Sequence, residues 1–122
     1  MRILSLNFPF NSALSENNRL GYSGRSGRMY AKNEYKQVQE ELSYKIKSQM
    51  KTLCVGAFDP RKRVFVTLTV HRPNNSSDAS NFIKSINDAI SRSIGVNDNL
   101  FDGSYSGLID KKNPRFKIEV RQ

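Results

Sequence analysis

The chain has one cysteine, Cys54, and one histidine, His71. That scarcity excludes an internal disulfide and a Cys/His zinc cluster within a single chain. Cys54 sits in the apolar run Leu53-Cys54-Val55 and is expected as a small buried hydrophobe rather than a nucleophile. No run approaches the roughly 20 apolar residues of a membrane-spanning helix. The amino-terminal stretch from Met1 to Phe10 lacks the apolar core and small-residue cleavage site of a secretory signal, so a soluble, cytoplasmic protein is expected. Acidic residues are also few: 11 Asp and Glu stand against 20 Lys and Arg, a formal net charge of +9 at pH 7. An excess of that size draws polyanions through its summed field, which keeps DNA, RNA and anionic membrane open as partners. Internal repeats are absent, and 122 residues is the length of one domain able to bury a core without staples.

Apolar periodicity gives the elements. Residues 2–8 alternate through Ile3, Leu4, Leu6 and Phe8 until Pro9 ends the run, which reads as a strand. Residues 11–30 are rich in Asn, Ser and Gly and carry Arg19, Arg25 and Arg28 around Tyr22, a long, basic, flexible loop. Over residues 33–53, Tyr35, Val38, Leu42, Ile46, Met50 and Leu53 recur at spacings of three and four, one face of a helix. Glu34, Glu40 and Glu41 lie toward its start and Lys45, Lys47 and Lys51 toward its end, as the helix dipole favours. After Asp59-Pro60 a β-branched run over 64–70 reads as a central strand with Phe65 in the core. A second helix is expected over 78–94, burying Ile83, Ile86, Ile90 and Ile94 and stopping at Gly95. The last quarter reads as a segment over 96–101, a turn at Asp102-Gly103, a strand over 105–109, a basic turn from Lys111 to Pro114 and a strand over 115–120. That order implies an α/β (α+β) domain in which two main helices pack on a small mixed β-sheet.

Polar residues gather around the second helix. Asn81, Lys84 and Asp88 are spaced by three and four and share a face apart from the isoleucines, with Asp78 at its start. Asn97-Asp98 follows its end, and Asp102 comes next. Asp78 and Asp98 are the pair to join, which requires the following strand to fold back along the helix. The ordinary alternatives are a helix N-cap at Asp78 and a solvated ion pair between Lys84 and Asp88. Against them, two carboxylates about 4 Å apart repel by about 4 kcal/mol at an effective dielectric near 20, so a carboxylate cluster in so basic a domain stays ionised only with a cation. Mg²⁺ suits that role because it prefers carboxylate and water oxygens and is shared with substrate phosphate, where it can activate water and stabilise the leaving oxygen of a phosphodiester. Phe82 is expected in the core, Tyr22 and Tyr30 against a sugar or base, and His71 on the surface or at a phosphate.

Pro9 followed by Glu16-Asn17-Asn18-Arg19 and the basic stretch to Arg28 resembles the amino-terminal proline-to-NNR region of the RusA family of Holliday-junction endonucleases. The segment Ser77-Asp78-Ala79-Ser80-Asn81-Phe82-Ile83-Lys84 is similar to that family's D-x-D-N-x-x-K motif, and Asn97-Asp98 to its downstream DD pair. The resemblance covers nearly the whole chain, and residues 1–122 are expected to form a single domain. It implies a homodimeric enzyme, dependent on Mg²⁺ with Mn²⁺ as a substitute, that resolves four-way DNA junctions by paired nicks in recombination and repair. A bacterial or phage source and no membrane partner go with it. Position by position it implies Asp78 and Asp98 as catalytic metal ligands, Lys84 as the catalytic lysine and Asn81 as the adjacent Asn. Ser80 stands where the family has its second Asp, a neutral oxygen in place of a charge. Either Asp88 or Asp102 supplies the missing carboxylate, or the site acts with fewer ligands, or the protein binds branched DNA without cutting it. Arg19, Arg25, Arg28, Lys111, Lys112 and Arg115 form the expected phosphate-gripping shell, and a two-fold dimer suits a junction that is itself nearly two-fold.

Overall fold

The computed structural model describes residues 2–16, 20–22, 29–31, 33–75 and 78–122, with the backbone alone at 20–22 and 29–31. The β-branched run after Pro60 forms strand β4 (Val64–Arg72), in which Val64, Val66, Leu68 and Val70 are at most 1% exposed. Such a strand must be paired on both sides to satisfy its backbone. It is: β6 (Arg115–Arg121) lies antiparallel on one side and β5 (Phe101–Ile109) parallel on the other. With β1 (Ile3–Pro9) antiparallel to β6, the four-stranded mixed sheet has the order β1-β6-β4-β5. A short pair, β2 (Leu20–Tyr22) with β3 (Met29–Ala31), forms a separate two-stranded sheet.

Alternate residues of every main strand except β5 point to one buried face: Leu4 and Leu6, the four β4 residues, and Phe116, Ile118 and Val120. Both helices cover that face. In α1 (Asn33–Thr52), Tyr35, Val38, Leu42 and Ile46 are buried at the expected spacing, and α2 (Ile83–Ile94) buries Ile86, Ala89, Ile90 and Ile94. Each such valine, leucine or isoleucine stabilises the fold by roughly 1.5–3 kcal/mol relative to exposure. Buried polar groups stitch the layers: Gln39 Nε2 donates to the Ser85 carbonyl (2.9 Å), and Ser85 Oγ donates to the Leu14 carbonyl (2.7 Å). The result is the expected α+β domain of two helices on a small mixed sheet. Among the described residues no helix is long and apolar enough to cross a membrane.

Four local expectations are corrected. Asp102-Gly103 is no turn but part of β5, because nine consecutive pairs from Val64↔Phe101 to Arg72↔Ile109 hold the strand straight through it. Residues 11–30 are not loop throughout: Ser12–Leu14 forms a 3-10 turn whose Leu14 is fully buried, and β2 and β3 follow. A single leucine among polar residues is too short a signal for periodicity to register. Phe65 is 38% exposed on the open face of the sheet, where the Arg121 guanidinium lies 4.8 Å from its ring centre. Leu53 and Cys54 are exposed rather than buried, since α1 ends at Thr52.

That ending explains Cys54. The Val55 N–H donates to the Met50 carbonyl (3.0 Å) and the Cys54 N–H to the Lys51 carbonyl (3.1 Å), the paired bonds of a Schellman cap. Cys54 occupies the left-handed position of the motif, φ 53, where glycine is usual and a Cβ is strained. Gly95, at φ 72, does the same for α2 without strain. Cys54→Gly is therefore expected to raise stability by up to about 1 kcal/mol, the relief of left-handed strain less the entropy of glycine. A higher urea midpoint at unchanged slope checks it, and a lower midpoint would show that the cysteine side chain makes a contact that matters more.

Candidate active site

The motif that opens the second helical segment is built as a turn rather than as a helix end. Ala79–Phe82 is a 3-10 turn, with Asp78 before it in an extended conformation, φ −80 and ψ 147. The Asp78 carbonyl accepts from the Asn81 N–H (3.1 Å), but the carboxylate makes no capping hydrogen bond and the residue is exposed. Capping, the ordinary use of an aspartate at this position, does not account for it. Phe82 anchors the turn: it is fully buried, with its ring 5.3 Å from that of Phe10 and 5.2 Å from that of Phe116. On the strand side the turn presses on β5, since a Cβ at Gly107 would stand 2.6 Å from that of Ala79. Asp78 and Ser80 are thus presented outward by a turn fixed from beneath.

The other expected carboxylates are spent or distant. Asp88 pairs with Lys84 (3.6 Å), one turn apart on α2, as the solvated-pair reading has it, although Asp88 is half-buried. Asp102 pairs with Arg63 (3.7 Å) and lies opposite Phe65 at the start of β5. Asp98 is exposed and opens the 3-10 turn Asp98–Leu100, which Asn97 caps by accepting from the Asn99 N–H (3.0 Å). The capping amide is a physical reason for Asn97 next to Asp98. The strand after α2 does fold back along it, but in the sense that leaves Asp98 behind. α2 has 12 residues, a span of about 18 Å, and β5 carries Gly107, not Asp98, to the Asp78 end. Among the described residues of one chain, no three His, Cys, Asp or Glu side chains are grouped so as to hold a metal ion. Within one chain Asp78 is thus left without Asp98 as a second carboxylate donor.

The basic shell is divided. Arg19, Arg25 and Arg28 lie outside the described residues, as do the side chains of Tyr22 and Tyr30. Lys111 and Lys112 are exposed in the β5–β6 turn, whereas Arg115 donates to Asp110 (3.1 Å) and to the Asn113 carbonyl (3.0 Å) and braces that turn from within. The Asn113 N–H and then Arg115 hold the Asp110 carboxyl below its ordinary pKa, so it stays charged. His71, expected at the surface, is instead buried, with Nδ1 3.6 Å from the same carboxylate. Lys117, opposite Thr69, and Arg121, opposite Phe65, lie on the open face of the sheet and were not among the expected contacts. Their signal was present in the alternation of charged and apolar residues from Arg115 to Arg121.

A basic α+β domain that exposes carboxylates at both ends of a single helix is of the class of small proteins whose summed field draws polyanions. No curated protein matches the sequence. The chain belongs to the RusA endodeoxyribonuclease family, whose family model it matches over residues 9–121. Membership implies Holliday-junction resolvase nuclease activity on branched DNA in recombination, and nucleases of this family are generally divalent-metal dependent.

Proposed function

We propose that the protein is a homodimeric, Mg²⁺-dependent endonuclease that resolves four-way junctions by paired nicks. The observation that carries this reading is the exposed Asp78 carboxylate, uncapped and held out by a turn rooted on Phe82, in a domain of charge +9. Because Asp78 and Asp98 stand at opposite ends of α2, they can share an ion only between two copies of the chain. The donors would then be Asp78 of one copy and Asp98 of the other, with the Ser80 hydroxyl as a neutral third. Hard oxygen donors of this kind suit Mg²⁺ first and Mn²⁺ second. Lys84 is tied only by a half-exposed pair to Asp88, worth under about 1 kcal/mol, and is free to turn toward the scissile phosphate. Lys111 and Lys112, with Arg19, Arg25 and Arg28, grip the DNA backbone.

The test is cleavage of a labelled four-way junction and a matching linear duplex, with and without Mg²⁺. Paired nicks on the junction alone, dependent on the ion, uphold the reading. Tight binding without nicking sinks it in favour of a branched-DNA-binding protein, the reading that the lost charge at Ser80 favours. Ser80→Asp separates the two further. Restoring the carboxylate is expected to raise Mg²⁺ affinity and cutting at low Mg²⁺ by about ten-fold, the smaller end of what tuning a metal site achieves. No change in the Mg²⁺ dependence would mean that position 80 does not face the ion.

Backbone contacts are expected to dominate junction affinity. If about five phosphates are neutralised, binding falls about 500-fold between about 50 and 200 mM salt. A flat response in a salt titration would rule out the basic shell.

A further inference from the structure

We propose that Arg72 is a phosphate-binding residue of the candidate active site, its guanidinium taking the DNA phosphodiester that is cut at the Asp78–Ser80 turn; this rests on the nuclease reading above. The motif does not contain Arg72, which is the last residue of β4. Alternate residues of that strand, Val64, Val66, Leu68 and Val70, are buried beneath the helices, and the same alternation carries Arg72 to the helix side. The strand's end is fixed in place. Arg72 lies opposite Ile109 of β5, its carbonyl accepts from the Asp110 N–H (2.7 Å), and Pro73 follows with no N–H to extend the ladder.

Gly107 shows where the side chain goes. A Cβ on that glycine would stand 2.6 Å from the Ala79 Cβ and 3.7 Å from Arg72 Nε, so the turn and the guanidinium flank one point above β5. Ala79 lies between Asp78 and Ser80, and both of these are exposed. Arg72 therefore brings a positive charge beside the turn that presents them. It is half-buried, and a charge partly withdrawn from water is screened less by salt than an exposed one.

The other cations at this end of the fold leave that place to Arg72. Lys111 and Lys112 are exposed in the turn after Ile109, and Arg115 is held by Asp110 and the Asn113 carbonyl. Arg72 joins the two regions, next to Ile109 on one hand and to Ala79 on the other. A guanidinium stays charged at any working pH, and its planar fork meets two phosphate oxygens at once. Ser80 assists in this: a neutral hydroxyl where a carboxylate would stand removes a repulsion on a phosphate at the turn.

Arg72→Gln and Arg72→Lys test the proposal through two readouts: the salt dependence of binding to an intact four-way junction without Mg²⁺, and the single-turnover rate of cutting with it. Arg72→Gln is expected to lower the slope of log affinity against log salt by about 0.9, one phosphate contact, and to slow cutting by about 100-fold, as for the loss of one preorganised donor at a reacting group. Half-saturating Mg²⁺ stays where it was. Arg72→Lys is expected to restore the slope, since the charge returns, but only part of the rate, since an ammonium lacks the fork. Slow cutting by Arg72→Gln with an unchanged slope would reduce Arg72 to a brace of the turn and overturn the proposal. A lowered slope with full-rate cutting would place its phosphate away from the reaction and also overturn it. If the natural protein never cuts, the nuclease reading fails, and the slope alone then shows whether Arg72 holds a phosphate. Junction cutting that is unaffected by Arg72→Gln, with the slope unchanged, upholds the nuclease and removes Arg72 from its site.

Discussion

Asp78→Asn is expected to lower junction cleavage at least about 100-fold, or about 2.7 kcal/mol at 1.36 kcal/mol per decade, while junction binding stays within a few-fold. The substitution keeps the shape of the side chain and removes its charge. If the carboxylate is a ligand of a catalytic ion, that charge is what fixes the ion, and an amide oxygen is a poor replacement. Binding is carried by cationic groups elsewhere, and losing one exposed negative charge does not weaken it. Folding is expected to be untouched, within about 0.5 kcal/mol, as for exposed positions away from special features. Asp78→Ala sharpens this point because Asn caps a helix as well as Asp does and Ala does not. With no capping bond to lose, Asp78→Ala is also expected to leave the urea midpoint in place. A loss near 1 kcal/mol would return Asp78 to the role of a cap, and cleavage unaffected by either change would remove it from the site.

Phe82→Ala is expected to cost about 3–5 kcal/mol, the range for emptying a large aromatic from a core. Phe82 is fully buried and meets Phe10 and Phe116 edge-on or tilted, at centroid distances of 5.2–5.3 Å. Neighbours drawn from β6, from the segment after β1 and from α2 cannot all collapse into the space at once. Against a total stability of about 5–15 kcal/mol for a domain, this is a large share. Denaturant unfolding measures it, and a loss under about 1 kcal/mol would mean that the ring is not packed as described. The same change frees the turn that presents Asp78 and Ser80. Cleavage is therefore expected to fall even under conditions where the variant stays folded, and Phe82→Leu is expected to recover part of both losses.

The two helices and the strands β1, β4 and β6 were legible because each buries one face, and a one-sided burial leaves its period in the sequence. Tyr35, Val38, Leu42 and Ile46 needed no partner to be recognised as a stripe. The second half of β5 was expected as a strand over 105–109, but its first half was misread as a turn at Asp102-Gly103, for the same reason in reverse. All but its first residue are exposed, so it carries no alternation, and only its parallel register with β4 makes it a strand. Phe65 looked like core because hydropathy reports a residue's preference and not which side of the sheet it faces; the cover of helices on the other side left it in the open beside Arg121. His71 and Arg115 likewise read as surface contacts, and it is Asp110, brought to both of them by the turn after β5, that turned them inward.

The motif residues divide along the same line. Asp78, Ser80, Asn81, Lys84 and Asp98 could be named from order and spacing alone, since a motif is a local pattern. Their distances could not, because the span of α2 and the direction of β5 are properties of long-range pairing. Sequence by itself determined the charge, the helices, the buried spine of the sheet and the membership in a nuclease family. Tertiary structure decided that Asp78 caps nothing, that Asp88 and Asp102 stand beside Lys84 and Arg63, and that Asp78 and Asp98 lie at opposite ends of one helix. The physical reason is that periodicity and caps are set by neighbours a few residues away, whereas the meeting of two carboxylates depends on how strands far apart in the chain align.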